Sequence, residues 1–306
     1  MTRQVFMSFR TAAMRKVVFL GLRLMLLPFV FREVIQRKKV TIVVYHTPMP
    51  QVFDAHLGVL RRLYKVVPLS VYVEARLTGD FSILPPKAMI ITLDDGHRSN
   101  YQLKDVLERH NFPVTIFLCS GLIDTRRKFW FLHEKSSDIV QQLKTVPDDK
   151  RVAILRERGF EETEEFETRQ ALSVSELREL SSKADFQSHT VFHPILPRCS
   201  SERAEAEIVR SKLDLQTTLG TEAYALAYPN GEYSERDIRL AERAGYRCAL
   251  TLDRGFNTET TPLFKLRRIC IPDDADQHEL IVKVSGLWGE IRAVLGWRTD
   301  RKRTGH

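Results

Sequence analysis

The sequence predicts an α/β fold built as a distorted (β/α) barrel of seven strands, with a helical insertion and an N-terminal helix. Three observations predict it. From Val40 onward, short apolar runs rich in Val, Ile, Thr and aromatic residues alternate with helix-patterned stretches; such alternation implies βαβ units and a largely parallel sheet. Seven such runs suit a barrel, which takes about 250 residues. The composition, 43% hydrophobic and 28% charged, is ordinary for a globular chain and excludes disordered, collagenous and low-complexity classes. An open doubly wound sheet satisfies the same alternation.

The strand candidates, in order, are VTIVVYH (40–46), AMIITLD (88–94), PVTIFLC (113–119), DFQSH (185–189), AYALAYP (223–229), CALTLD (248–253) and FKLRRICI (264–271). DFQSH has the poorest strand composition. Between them, Leu57, Leu60 and Leu63 share a face of a helix over 54–64, and Ser99 is placed to cap a helix running to His110. Ser173 with Glu176 forms a capping box. A helical repeat from Glu202 to Leu219 stops at Gly220, and Ser234 with Asp237 opens another helix that ends at Gly245. The charge-rich stretch at about 124–171 breaks the rhythm and reads either as a helical subdomain over the strand ends or as a solvated excursion. Its Phe129, Trp130 and Phe131 suit packing of the insertion or stacking on a sugar face.

Three parts follow: a basic, apolar segment (1–39), a catalytic body (40–295) and a basic tail (296–306). The net charge of +8 is uneven. Residues 1–39 hold nine Lys and Arg against Glu33 alone and account for +8, the tail carries +3, and the body is left at −3. A nucleic-acid groove would place basic charge on the folded body, so no nucleic-acid partner is expected. Val17–Phe31 is apolar but interrupted by Arg23 and Pro28, and is short of the roughly 20 residues a spanning helix needs. Bulky and charged residues follow it instead of a small-residue cleavage site. It reads as an interfacial helix on anionic lipid, an uncleaved anchor, or a helix covering the body with Arg23 snorkelling outward. The four cysteines, Cys119, Cys199, Cys248 and Cys270, form no C-x-x-C pair, which argues against a cysteine-zinc site and favours a reducing, cytoplasmic setting at or near a membrane.

The chemistry-bearing residues gather at strand ends. Asp94-Asp95-Gly96 follows AMIITL, where parallel α/β folds build their active sites. Adjacent carboxylates point differently, so one can hold a metal while the other acts as a base; a capped Asp-Gly turn is the structural alternative. His189 and His193 are four residues apart, so one helical turn would bring both imidazoles to one face. Two His with one carboxylate suit a divalent metal with open positions. Pro229-Asn230-Gly231 makes a sharp turn able to aim N–H groups at an oxyanion, and His46 ends the first strand, where it can reach the same pocket or serve structurally.

In order and wording, ITLDDG, SHTVFH and AYPNG resemble the polysaccharide deacetylase family of metal-dependent carbohydrate esterases, which remove N-acetyl groups. The resemblance spans about residues 40–272 and includes Tyr45-His46, PVTIFL, LSVSELREL, EIVRSK, AGYRCALTLDRGFN and LRRI. It implies that Asp95, His189 and His193 bind a divalent ion, normally Zn²⁺, and that Asp94 is the base. It also implies an oxyanion donor in the Asn230 N–H and, in the rearranged variant of the family, a general acid in His46. The substrate implied is an N-acetylated sugar or polysaccharide. Two family features are missing: an Arg before the Pro motif and a late Leu-x-His. Their absence leaves open a glycan-binding protein without activity, and a hydrolase of another acyl or phosphoryl bond is a third reading.

Overall fold

The computed structural model describes residues 12–295. Eight strands form one sheet: β1 (Thr41–Tyr45), β2 (Lys65–Val66), β3 (Ala88–Leu93), β4 (Val114–Leu118), β5 (Ala184–Ser188), β6 (Ala225–Ala227), β7 (Cys248–Leu250) and β8 (Ile269–Cys270). The order is β7-β6-β5-β4-β3-β1-β8, every pairing is parallel, and β2 attaches to the start of β3 off this path. The seven expected strands are therefore all present, DFQSH among them. β2 is the addition, a two-residue strand too short to carry a period.

Parallel strands covered on both faces read as continuous apolar runs. Accordingly β1, β3 and β4 are buried along their whole length. One face packs on the helices Pro50–Leu63, through Phe53, Leu57 and Leu60, and Val174–Leu180, through Leu177 and Leu180. Between β7 and β8 the ladder is replaced by a returning segment. Leu266 bridges Leu250, the Thr251 N–H donates to the Leu266 carbonyl, and the Arg268 N–H donates to the Asp253 carbonyl. This segment curls the wall into a distorted barrel. It also explains why FKLRRICI yields only β8: Leu263–Lys265 forms a 3₁₀ turn and Leu266 lies along β7 before the chain reaches β1.

Both capping boxes form, and Gly220 closes the Ser201–Leu219 helix in the left-handed region. One expected cap differs. The cap is the His97 ring, which accepts from the Ser99 N–H, and not the Ser99 hydroxyl; a 3₁₀ turn (Arg98–Leu103) follows, and the α-helix starts only at Lys104. The insertion is folded. Helices Ser137–Leu143 and Asp148–Glu157 enclose a small core of Trp130, Leu143, Leu155, Phe160 and Ile195.

The N-terminal helix, Ala12–Leu24, lies on the helices Gln277–Val284 and Leu287–Val294 by burying Phe19 among Val282, Leu287 and Trp288. Arg23 does not snorkel into solvent; its guanidinium donates to the His278 ring at 2.9 Å. The apolar run breaks at Leu26, which is left-handed, and continues through the turns Leu27–Val30 and Phe31–Ile35 into β1. Among the described residues no helix is long and apolar enough to cross a membrane. The tail from Gly296 lies outside the described residues.

Candidate metal centre

β3 ends in the turn that carries both carboxylates. Asp95 takes a left-handed φ of 72° and Gly96 one of 66°, and a Cβ on Gly96 would run into the Leu118 side chain on β4, so the turn favours glycine there. β5 ends in SHTVFH. Here the spacing of the two histidines works differently from the expected helical turn, because Thr190 and His193 are left-handed and the segment is a tight loop. Local bonds set this course: the Ser188 hydroxyl accepts from the Thr190 N–H, the Thr190 hydroxyl accepts from the His193 N–H, and Pro194 disfavours helix at His193.

Asp95, His189 and His193 converge, with one donor atom from each lying within 4.8 Å of the others. Both Nε2 atoms face the same Asp95 oxygen, at 3.5 Å from His189 and 3.6 Å from His193. Ligands at zinc–nitrogen distances on a tetrahedron sit about 3.3 Å apart, so the spacing suits a divalent ion between them. All three groups are buried. His189 Nδ1 donates to the Ala227 carbonyl at the end of β6, which fixes the tautomer and frees Nε2. His193 Nδ1 is buried without a partner.

The charges of Asp95 and His193 agree with this donor set. Burial alone would raise the Asp95 carboxyl, but the hydrogen bond from His189 and the charge of His193 hold it well below the ordinary range. Burial, with His189 beside it, pushes His193 down to about 3, leaving a neutral ring with a lone pair to offer. His189 runs the other way: burial would lower it, yet Asp94 and Asp95 hold it above the usual value.

Asp94 stays outside the ligand trio and points elsewhere, as the adjacent-carboxylate argument requires. Arg268 grips it with both arms, Nη1 to Oδ1 at 2.7 Å and Nη2 to Oδ2 at 2.9 Å, while Arg268 Nε donates to the Thr251 carbonyl. Arg268 is fully enclosed; burial alone would raise the Asp94 carboxyl, but Arg268, with His189 and His46 adding to it, holds it below its usual range. No Arg precedes Pro229; the Arg that meets Asp94 comes from LRRI, ahead of β8. Sequence order hid it, although the motif was visible.

His46 lies beyond β1, next to β3. It is half-buried, and a positive charge on it adds only a lesser pull to those that lower the Asp94 and Asp95 carboxyls. Asp273 accepts from the N–H groups of His46 and Thr47, and the Asn100 side chain donates to the His46 carbonyl. Asn230 stands at the end of β6 in a left-handed turn, its side chain donating to Glu232. No late histidine joins the cluster among the described residues: His278 is engaged with Arg23.

Two supports escaped the sequence reading. Glu207, from the Ser201–Leu219 helix, accepts from the N–H groups of Val191 and Phe192 inside the histidine loop. Trp130 Nε1, from the insertion, donates to the His193 carbonyl at 2.9 Å. Of the aromatic trio, Phe129 and Trp130 are buried, and Phe131 brings its ring to 4.8 Å from that of His193.

Comparison with known proteins agrees with this geometry. A curated putative polysaccharide deacetylase, YxkH of Bacillus subtilis strain 168, is 22% identical over 184 residues, 60% of this chain. The chain spans about half (51%) of the length of that relative. Among solved structures, the Streptococcus pyogenes deacetylase PplD in complex with acetate superposes with a TM-score of 0.61 at 20% identity, covering 81% of this chain and 99% of that one. IcaB from Ammonifex degensii gives 0.60 at 17%, covering 82% and 98%. BA0330 from Bacillus anthracis, a putative polysaccharide deacetylase, gives 0.59 at 20%, covering 81% and 69%. These likenesses show a shared fold. The family model for polysaccharide deacetylase matches residues 82–249, from the approach to β3 through β7, and on that match the chain belongs to the polysaccharide deacetylase family.

Proposed function

We propose that the protein is a metal-dependent hydrolase that removes N-acetyl groups from an N-acetylated sugar or polysaccharide. The observation that carries this reading is the buried convergence of Asp95, His189 and His193 beside a separate carboxylate, Asp94, kept ionised by Arg268. The trio suits Zn²⁺ through its two ring-nitrogen donors and one carboxylate. Asp95, His189 and His193 would hold a divalent ion, which when bound would supply a Lewis acid for the amide carbonyl and a more acidic water.

The chain's own residues do the rest. Asp94 takes the proton of the attacking water, and its two-point grip by Arg268 fixes the oxygen that receives it. The Asn230 N–H supports the developing oxyanion. His46 protonates the departing amine, held at its strand end by Asp273 and Asn100. Acetate and a free amino sugar leave.

Asp94→Asn tests the reading. With metal content matched to wild type, acetate release from an N-acetylated oligosaccharide should fall by about a hundredfold or more; wild-type turnover would remove Asp94 as base. His46→Gln should lose the acid contribution while binding metal normally.

We also propose peripheral contact with a membrane through residues 1–39 and a cytoplasmic, reducing setting. Four free cysteines, three of them buried, support the latter.

A further inference from the structure

The N-terminal helix is joined to the body by more than packing. Phe19 lodges its middle among Val282, Leu287 and Trp288, while its two arginines reach toward the catalytic end of the barrel. Arg15 donates to both Asp274 oxygens, at 3.0 and 3.1 Å, and to Glu279 at 2.6 Å. Arg23 meets the His278 ring. All these partners lie just past β8, between the end of that strand and the first turn of the Gln277–Val284 helix. An isolated surface pair would contribute little. Arg15, however, is three-quarters covered and bridges Asp274 to Glu279, which is buried and also paired with Lys283.

Asp274 sits in a tight turn. The Ala275 N–H donates to the Pro272 carbonyl, so Asp273 and Asp274 are the two central residues. Both ends of the turn are fastened: the Ile271 N–H donates to the Val44 carbonyl on β1, and the His56 ring donates to the Ala275 carbonyl. The two carboxylates divide the work. Asp274 takes Arg15 on the outside. Asp273 accepts from the His46 N–H at 3.2 Å and from the Thr47 N–H at 2.9 Å. The buried Asn100 side chain donates to the His46 carbonyl at 2.8 Å. His46 is therefore held through the peptide groups on both its sides, and one of those holds is a turn gripped by the N-terminal helix.

We infer that Arg15 is a positioning residue for His46. It steadies the turn at 272–275 through Asp274, the turn holds the His46 peptide through Asp273, and the imidazole is thereby placed to protonate the departing amine. The N-terminal helix is then a working part of the site. The inference rests on the deacetylase reading, with His46 as its acid. Only the acid step should feel Arg15, because Asp94, Asp95, His189 and His193 are carried on the ends of β3 and β5.

The test compares two substrates on the metal-loaded full chain. An N-acetylated oligosaccharide needs its leaving amine protonated, whereas 4-nitrophenyl acetate expels a phenolate that needs no proton. Arg15→Met keeps an apolar stem at this position and leaves Glu279 its pair with Lys283. It should slow acetate release from the oligosaccharide by roughly tenfold, with ester hydrolysis within about twofold of wild type and metal content unchanged. Asp274→Asn, at a mostly exposed side chain, reads the same link without altering the helix and should show the same selective loss, about threefold or more. Equal losses on both substrates, or none on either, reduce Arg15 to a structural residue and overturn the inference. His46→Gln separates this from the reading beneath it. If His46→Gln slows the oligosaccharide and Arg15→Met adds nothing further in that background, the route through His46 stands; an additive loss overturns it. If His46→Gln slows the oligosaccharide and Arg15→Met alone does not, the acid stands and the inference falls. Wild-type turnover in His46→Gln removes the acid assignment itself, and the inference with it.

Discussion

Arg268 shows how one side chain joins stability to chemistry. A guanidinium with almost no exposure would be costly to bury alone, and Asp94 beside it would be protonated by the same enclosure. Together they form a two-bond ion pair, with Nε satisfied by the Thr251 carbonyl, and the carboxyl is held in the form a base requires. Arg268→Met should therefore do two separable things. Leaving one charge of a buried pair unpartnered should cost about 3 kcal/mol of stability, read from urea unfolding. It should also move the acidic limb of kcat/KM to higher pH, because Asp94 loses the group that keeps it ionised. Arg268→Lys should restore part of the stability but not the two-point grip. An acidic limb unmoved in the folded Met variant would show that Asp94 does not titrate in the reaction.

At the level of elements, the metal loop is positioned from three sides. β6 orients His189 through the Ala227 carbonyl, the Ser201–Leu219 helix holds the Val191 and Phe192 amides through Glu207, and the insertion holds the His193 carbonyl through Trp130. Arg203 links the last two, pairing with Glu207 and with Glu162 of the insertion. The insertion is thus part of the site's support. Trp130→Phe keeps the ring's packing and removes only the N–H donor. It should weaken metal affinity by roughly tenfold, as loss of an outer hydrogen bond does, with kcat at saturating metal near wild type. Unchanged affinity would reduce Trp130 to a core residue. These supports explain what the sequence could and could not reveal. Strand runs, capping boxes and the LDDG and SHTVFH strand ends were legible because local pattern encodes them. Arg268, Glu207 and Trp130 were not, since each meets the site across 15 to 174 residues of chain. The helical geometry expected for His189 and His193 failed for a local reason, the left-handed turns at Thr190 and His193, which four-residue spacing does not express.

Across the whole molecule, one buried histidine away from the metal ties the barrel's layers together. His56, on the Pro50–Leu63 helix, has no exposed surface; its Nε2–H donates to the Ala275 carbonyl beyond β8, and its Nδ1 accepts from the Tyr45 hydroxyl at the end of β1. Helix, central strand and the loop leading to the Gln277–Val284 helix, on which the N-terminal helix rests, meet in this one neutral ring. Burial holds its pKa below the usual 6.5, against weaker pulls from the Ala275 carbonyl and the acids Asp276, Glu279 and Asp273. The unfolded chain therefore takes up a proton as pH falls through 6.5 while the folded one does not. The resulting stability is present above 6.5 and is lost progressively as the solution is acidified toward the folded value. His56→Gln keeps a donor for the Ala275 carbonyl but cannot titrate. Its melting temperature should start lower at pH 8, where wild type has its full complement of bonds, and fall less steeply than wild type between pH 7 and pH 5. Because the metal ligands titrate in both proteins, the difference between the two curves reports His56 alone, and parallel curves would mean that the ring joining these layers carries no pH-dependent share of their stability.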